Sequence, residues 1–427
     1  MKDDKEIGMI QLLIIADDFT GALDTGVQFA ACGVKTRVVV GDAAIMQEDF
    51  TACDVLVIDA ETRHLPCETA YEIVSAITGA AIKEGIPHIF KKTDSALRGN
   101  VGSELTAILR ASGEAQLPFI PSFPQIGRTT EHGEYLISGI AVADSVFGTD
   151  PFEPVTESIV SKLIALQSEV PCYSCPVPTD AFGVPSEEGI VIFDSKTKED
   201  LQMILKALRE KDMLHIMAGC AGFASILPEI LDLAGREPCT MPPLDPRLLI
   251  VCGSVNPITL TQLGNAEKKG FIRYHLSPEQ KLGKDYWESE KGSRDIETIR
   301  QMLSNNPRCI IDSNDEGIGN AQTREYAKSH DLGLDDVRLG ISRSIGHIVQ
   351  SIFDCPSLGT MLITGGDTLL QCMRYMDVNT LEPICEVESG IVLSKFSYEG
   401  NTRYVITKSG GFGSANLMIK IANMIAK

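Results

Sequence analysis

Six times along the chain, a short run of aliphatic and β-branched residues stops at a polar or glycine-containing corner and gives way to a helical period. Met9–Ala16 (MIQLLIIA) meets DDFTG and a helix-like stretch that ends near Gly33. Val55–Asp59 (VLVID) meets AETRH, and a helix is predicted from about Glu68 to Glu84. His88–Phe90 meets KKTDSALRGN, with a helix predicted from Gly102 to Ala111. In the second half, Leu248–Cys252 precedes GSVNPIT, Met361–Thr364 precedes GGDT, and Tyr404–Thr407 precedes KSGGFGS and a terminal helix through Ile425. This alternation predicts an α/β fold with largely parallel sheets, because parallel neighbours need a crossover that a helix supplies.

The pattern breaks at Arg236–Arg247 (REPCTMPPLDPR), where four prolines fall in twelve residues. Prolines restrict their neighbours and cannot continue a helix, so the segment reads as an extended linker. The expected organisation is an N-terminal domain over 1–237, a linker over 238–246 and a C-terminal domain over 247–427. Each is expected to be a largely parallel sheet flanked by helices. Ligands of such folds bind beyond the carboxyl ends of the strands. With three corners in each half, the active site is expected in the interdomain cleft, an arrangement suited to bringing two substrates together. The charged stretch Ser277–Asp295, which holds the only tryptophan, Trp287, is expected to be a surface excursion.

Composition limits the partners. With 38 Lys and Arg against 58 Asp and Glu over 427 residues, the formal charge is −20. Nucleic acids and anionic membranes reward basic surfaces, so neither is an expected partner. No apolar run approaches the ~18 to 20 residues of a membrane span. Met1–Gly8 is polar and charged, and the apolar run behind it is too short for a signal peptide. The twelve cysteines are scattered, several in apolar surroundings, and read as reduced core thiols of a cytoplasmic protein. The single close pair, Cys172 and Cys175 in PCYSCPVP, has no second pair and is flanked by prolines, so it is expected to be a loop without metal.

The corners carry the chemistry. Asp17 and Asp18 are adjacent carboxylates at a strand end, which call for a cation, a hydroxyl ligand or a proton; otherwise Asp18 caps the next helix. An aspartate after the first strand also invites an aspartyl-nucleophile phosphatase, but that device usually places its second carboxylate two positions on, where this chain has Phe19. Arg63 in Glu61-Thr62-Arg63-His64 suits bidentate capture of a carboxylate or phosphate, or else pairs with Glu61. The segment Lys91–Asn100 holds Lys91, Lys92, Thr93, Asp94, Ser95, Arg98 and Asn100, a toolkit for a polyhydroxylated anion. Gly127-Arg128-Thr129-Thr130 is expected to loop over the same cleft. In the C-terminal half, Gly253-Ser254, Gly365-Gly366-Asp367-Thr368 and Ser409–Ser414 are glycine-rich turns feeding helices. Three such turns in one domain point to a nucleotide held by backbone amides and helix N-termini. A GxxxxGK[ST] loop and the protein-kinase HRD and DFG set are absent from the sequence.

ADDFTGALDTG, ETRHL, KKTDSALRGN, the long stretch from GRTTEHGEYLISG to DPFEPV, CGS, TGGDT and KSGGFGS follow one another along almost the whole chain. In this the sequence resembles the four-carbon acid sugar kinases, most of all their D-threonate branch. The resemblance implies a sugar-acid-binding N-terminal domain, a nucleotide-binding C-terminal domain and phosphorylation of a tetronate by ATP with Mg2+. D-erythronate and 3-oxo-tetronates are the alternative substrates. Carried over by motif, Asp17, Asp18, Arg63, Lys92, Thr93, Asp94 and Ser95, with Arg98 beside them, would bind the acid. Asp17, Asp18 or Asp94 would orient and deprotonate its hydroxyl. Ser254, Gly365, Gly366, Asp367, Thr368, Gly410 and Gly411 would hold ATP, and no residue is assigned as a metal ligand. The chain departs from the commoner pattern at Ala96, where Thr is frequent, and at Leu369-Leu370, where Ser-Gly is frequent. A non-catalytic sugar-acid sensor is the rival of another class, and a homodimer is compatible with these features. Because both proposed substrates are anions, Arg63, Lys91, Lys92, Arg98, Arg128 and Lys408 are expected to line a positive crevice in an acidic surface.

Overall fold

Aliphatic runs that bury both faces and corners that turn outward at one edge describe both halves of the computed structural model. The structure describes residues 10–48, 50, 53–150, 153–178, 180, 183–233, 237, 240–317, 319–409 and 411–426. The chain divides into two compact units, residues 1–239 and 240–427. Of the expected linker, residues 238 and 239 lie outside the described ones.

The first unit runs β1 (Leu12–Ala16), α1 (Phe19–Ala30), β2 (Thr36–Val40), β3 (Val55–Asp59), α2 (Cys67–Lys83), β4 (His88–Lys92), α3 (Val101–Ser112) and β5 (Gln116–Ile120). A three-stranded antiparallel sheet follows: β6 (Arg128–Glu131), β7 (Glu134–Ile137) and β8 (Ile140–Ala141). The unit closes with α4 (Val160–Ala165), β9 (Cys172–Cys175), β10 (Gly189–Phe193), α5 (Lys198–Glu210), β11 (Ile216–Gly219), α6 (Ala221–Ala224) and α7 (Leu227–Ile230). Its main sheet has the order β2-β3-β1-β4-β11-β5-β10-β9, with every pairing parallel. All five residues of β1 and of β3 are buried, as helices on both faces require. On one face Leu13, Ile15, Leu56 and Ile58 pack with Val74 and Ile77 of α2 and with Leu105 and Ile108 of α3. Truncating one such residue to alanine costs about 2–5 kcal/mol.

The second unit runs β12 (Leu248–Cys252), α8 (Pro257–Glu267), β13 (Ile272–His275), α9 (Pro278–Leu282), α10 (Glu290–Asn305), β14 (Arg308–Asp312), α11 (Ala321–Ser329), α12 (Leu334–Ile352), β15 (Thr360–Thr364), α13 (Gly366–Tyr375), β16 (Thr380–Glu388), β17 (Ile391–Tyr398), β18 (Asn401–Lys408) and α14 (Leu417–Ile425). The order is β13-β14-β12-β15-β18-β17-β16, parallel as far as β18 and antiparallel through the β16–β18 meander. The first four strands of each unit therefore adopt the same local order: the first strand lies between the third and the fourth, and the second lies outside the third. In both units the chain reverses direction across the sheet beside its first strand, which is where α/β sheets open a crevice.

Two expectations are corrected. Cys172 and Cys175 lie on β9, an edge strand, with free thiols that burial pushes up to about 11, so they stay neutral. Flanking prolines are compatible with an edge because its outer side needs no ladder bonds. Trp287 is buried rather than on an excursion: its indole N–H lies 3.0 Å from Gln280 O and 2.7 Å from Ser344 Oγ. The ring stacks on His347, which in turn meets Tyr375 edge-on. No helix among the described residues is long and apolar enough to cross a membrane.

Candidate active site

The register levels the ends of β3, β1 and β4, pairing Ala16 with both Asp59 and Lys92, so three corners emerge side by side. Arg63 is the hub. Its Nε donates to Asp17 Oδ2 at 2.7 Å, Nη1 to Asp18 Oδ2 at 2.8 Å and Nη2 reaches Asp18 Oδ1 at 2.7 Å. Asp94 Oδ1 lies 3.5 Å from the same Nη2. Glu61, the partner that a plain surface role would give Arg63, is not in this set. Asp18 also caps α1, accepting from Gly21 N at 3.0 Å and Thr20 Oγ1 at 2.8 Å. The capping and functional readings of Asp18 therefore coexist.

Asp94 is held from a second side. Arg98 grips it with Nε to Oδ2 and Nη2 to Oδ1, both at 2.9 Å, and the backbone N–H of Ala96 adds a bond at 3.0 Å. Arg98 Nη1 meets Asp150 at 3.3 Å. Burial would raise the carboxyls of Asp18 and Asp94. The guanidinium groups outweigh it, with Lys92 helping at Asp18, so Asp18 sits below and Asp94 well below the usual range. Asp59 goes the other way: burial, reinforced by Asp18, pushes it well above the usual carboxylate range. Asp17 Oδ1 and Asp59 Oδ2 are buried side-chain oxygens without a hydrogen-bond partner among the described residues.

Lys91 and Lys92 part company because successive strand residues face opposite ways. Lys92 Nζ donates to Thr93 O at 2.6 Å and lies against the first turn of α1, where a Cβ on Gly21 would come within 2.9 Å of it and 2.5 Å of Asp18 Oδ1. A side chain there would push the Asp18 carboxylate and the Lys92 ammonium out of place. Lys91 is fully buried and pairs with Glu104 of α3 at 3.0 Å, so it is not part of a crevice lining. Thr93 Oγ1 is spent on Gly219 O at 3.3 Å, whereas Ser95 Oγ accepts from Arg128 Nη1. Two corner residues that are not glycine, Glu61 and Leu97, take left-handed backbone (φ 49° and 64°). Such strain persists where the surroundings over-determine it. Here Asn100 Nδ2 binds Thr62 O and Leu65 O, each at 2.8 Å, and fixes the two corners to each other.

A separate cluster forms in the second unit where β12, β15 and β18 end. Gly253 N donates to Thr364 O at 3.1 Å and Gly365 N to Lys408 O at 3.3 Å. A Cβ on Gly253 would stand 1.8 Å from Thr368 Oγ1, so the Gly253-Ser254 turn packs closely against the Thr368 side chain in the first turn of α13. α13 begins at Gly366 with no side-chain cap, leaving first-turn amides for a ligand. Asp367 is engaged by Arg338 Nη1 at 2.9 Å. Gly411 lies near Asn256, its would-be Cβ 3.7 Å from Nδ2. The structure thus brings Ser254, Gly365, Gly366, Asp367, Thr368 and Gly411 together, while Gly410 lies outside the described residues. Lys408 is buried, with Nζ 3.0 Å from Thr259 Oγ1 and 2.9 Å from Ser409 O, and burial pushes it down to about 8. Leu369 and Leu370 are buried on α13.

Sequence reasoning missed several members. Gln262 Nε2 gathers the carbonyls of Phe412, Gly413 and Ser414 at 2.9–3.1 Å, shaping the last glycine turn from within α8. Asn314 Nδ2 holds Ser254 O at 3.1 Å from the corner after β14. That corner, CIID followed by SND, carries the same run-then-polar signal as the six recognised ones. Asp150 and Phe147 lack any such signal, because they reach Arg98 from a long irregular segment.

Residues 12–227 match a family model described as a sugar-binding N-terminal domain, and residues 249–418 one described as a nucleotide-binding C-terminal domain. The chain belongs to the four-carbon acid sugar kinase family. Within the four-carbon acid sugar kinases it stands near the D-threonate kinases. It is 29% identical over 416 residues to D-threonate kinase of Salmonella typhimurium, covering 95% of this chain and 96% of that one. It is 30% identical over 276 residues, 61% of each chain, to D-erythronate kinase of Heliobacterium modesticaldum. It is 22% identical over 433 residues, 96% of each, to 3-oxo-tetronate kinase of Pseudomonas fluorescens. Two solved structures share the fold. A Salmonella typhimurium protein, described provisionally as a tRNA synthase, matches with TM-score 0.78 at 20% identity, over 96% of this chain and 98% of that one. A Haemophilus influenzae protein matches with TM-score 0.72 at 18% identity, over 97% and 100%.

Proposed function

We propose that this protein is a cytoplasmic kinase that transfers a phosphoryl group from ATP to the terminal, 4-hydroxyl of a four-carbon sugar acid, converting D-threonate to 4-phospho-D-threonate. D-erythronate and 3-oxo-tetronates are the neighbouring alternatives, since relatives bearing those names also match. The observation that carries the reading is Arg63 holding Asp17, Asp18 and Asp94 around one guanidinium. Three carboxylates fixed in this way are acceptors set out for the hydroxyls of a short polyol chain.

The contacts of the three aspartates divide them by task. Asp18 and Asp94 are held low by their cations, which makes them weak bases and firm acceptors. Asp17 Oδ1 has no hydrogen-bond partner among the described residues, and on that geometry the substrate hydroxyl is assigned to it. In the proposed step the 4-hydroxyl proton passes to Asp17 as the substrate oxygen bonds to the γ-phosphorus. The bond to the β,γ-bridging oxygen breaks, and ADP leaves. Ser254, the Gly365–Thr368 turn and Gly411 would hold the nucleotide, and the glycine contacts at Gly253 and the uncapped start of α13 fit a phosphate approached by backbone amides. Mg2+ would supply charge neutralisation on the phosphates.

The test is ADP release by the purified protein with ATP and Mg2+, offered D-threonate, L-threonate, D-erythronate, L-erythronate and 3-oxo-tetronates in turn. Phosphorus NMR of the product places the new ester on C4. Absence of ADP with every acid rejects the reading.

A further inference from the structure

We propose that Arg128, rather than Arg63, receives the carboxylate of the substrate; the inference rests on the sugar-acid reading above. The starting point is the use each arginine makes of its fork. Arg63 spends Nε on Asp17 and both Nη atoms on Asp18, with Asp94 beside Nη2. Arg98 spends Nε and Nη2 on Asp94 and Nη1 on Asp150. An incoming carboxylate would have to displace protein carboxylates from either one.

Arg128 is built differently. Its backbone is fixed at the start of β6 by paired bonds to Phe123, N to O at 2.8 and 3.1 Å, directly after Gly127 at φ 70°. Nη1 donates to Ser95 Oγ. Ser95 is itself tied down, its carbonyl accepting from Tyr135 Oη at 2.8 Å. Phe147 lies under the guanidinium, 5.2 Å from Cζ to the ring centroid, with Arg98 also near that ring at 5.4 Å. Among the described residues Arg128 Nε and Nη2 form no hydrogen bond, and no carboxylate forms an ion pair with the side chain. The Nε–Nη2 edge is the one that a carboxylate engages with two parallel bonds, and here it is held in place and open.

The order of these groups sets the pose. Arg63 reaches from Asp17 to Asp94, and Ser95, which holds Arg128, follows Asp94 in the chain. A four-carbon acid laid along this row has its carboxylate at Arg128, its middle hydroxyls against Asp94 and Asp18, and its terminal hydroxyl at Asp17. Lys92, the other site cation without an ion pair among the described residues, sits at the Asp18 end beside α1 and offers a point charge rather than a fork.

Steady-state kinetics on Arg128→Gln, Arg128→Lys and Arg63→Gln test this, with the acid and the corresponding uncharged tetritol as alternative substrates and calorimetry for acid binding. Arg128→Gln is expected to raise the acid KM by about 30-fold or more, the scale of a lost bidentate ionic contact. The ATP KM and melting temperature should stay unchanged, and the preference for acid over tetritol should fall by the same factor. Arg128→Lys should recover only part of the loss. An acid KM within about threefold of wild type in Arg128→Gln, with Arg63→Gln abolishing the preference for acid over tetritol, overturns the assignment in favour of Arg63. Wild-type protein that neither binds nor turns over any four-carbon acid overturns the functional reading and the assignment together.

Discussion

Lys91 Nζ and Glu104 Oε2 stand 3.0 Å apart with neither side chain reaching solvent, and the other oxygen of Glu104 takes the hydroxyl of Thr62, the neighbour of Arg63. Lys91 also donates to Ile15 O at 3.2 Å and Lys92 O at 2.9 Å. One ion pair thus ties together the ends of β1, β4 and α3 and the corner that presents Arg63. Removing one partner leaves a buried charge alone, so Lys91→Met or Glu104→Leu should each cost about 3–5 kcal/mol in denaturant unfolding. The double variant should recover most of that, because a packed apolar pair avoids the desolvation cost. A double variant no more stable than either single one would show that the pair does not act as a unit.

Asp17→Asn should lower kcat by about 10²- to 10⁴-fold while acid binding, followed by calorimetry, changes little. Asp18→Asn and Asp94→Asn should act mainly on the acid KM, since these carboxylates are held too low to take a proton efficiently. Near-normal kcat in Asp17→Asn would move the base to another group.

Lys408 gives the second unit a pH signature. Its ordinary value is 10.5 and burial pushes it down to about 8. Between those values the unfolded chain binds the proton that the folded chain has released, so unfolding free energy rises with pH across that window. The full contribution is roughly 3 kcal/mol, at about 1.4 kcal/mol per pH unit. It is complete above 10.5 and lost as pH falls to about 8. Chemical denaturation at several pH values should show a slope in the wild type that is flattened in Lys408→Met. Identical slopes in both would mean that the ammonium does not titrate there.

Gly253→Ala should disturb the nucleotide side alone. The new Cβ would meet Thr368 Oγ1 at 1.8 Å, and overpacking of this kind costs about 1–3 kcal/mol. A rise in ATP KM of about tenfold is expected, with acid binding by the first unit intact, and Gly253→Ala/Thr368→Ala should restore part of it. Equal damage to acid and ATP would indicate general unfolding instead.

The α/β class and the central strands were legible because buried parallel strands such as LLIIA and VLVID read as unbroken apolar runs. Edge and meander strands were not: CYSC on β9 and TLEPICEVE on β16 mix polar and apolar residues because one side or one end is exposed. The corners holding Asp17, Arg63, Asp94, Ser254 and Thr368 were likewise visible from composition at strand ends. Sequence could not say which cations stay available. That depends on alternation, which sends Lys91 inward to Glu104, and on long-range partners such as Asp150, which reaches Arg98 across fifty-two positions. The expected positive crevice becomes, in the first unit, a set of arginines already matched by aspartates, with Lys92 and Arg128 left over.

That matching has a kinetic side. Charges neutralised at contact distance cast little field beyond it, so an approaching acid meets chiefly the chain's net charge of −20. The field of that charge decays over roughly 8–10 Å at physiological salt and reaches much further in dilute buffer. Capture of the anion should therefore quicken as salt is added from low concentration, the reverse of an enzyme that draws its substrate in by a long-range positive field.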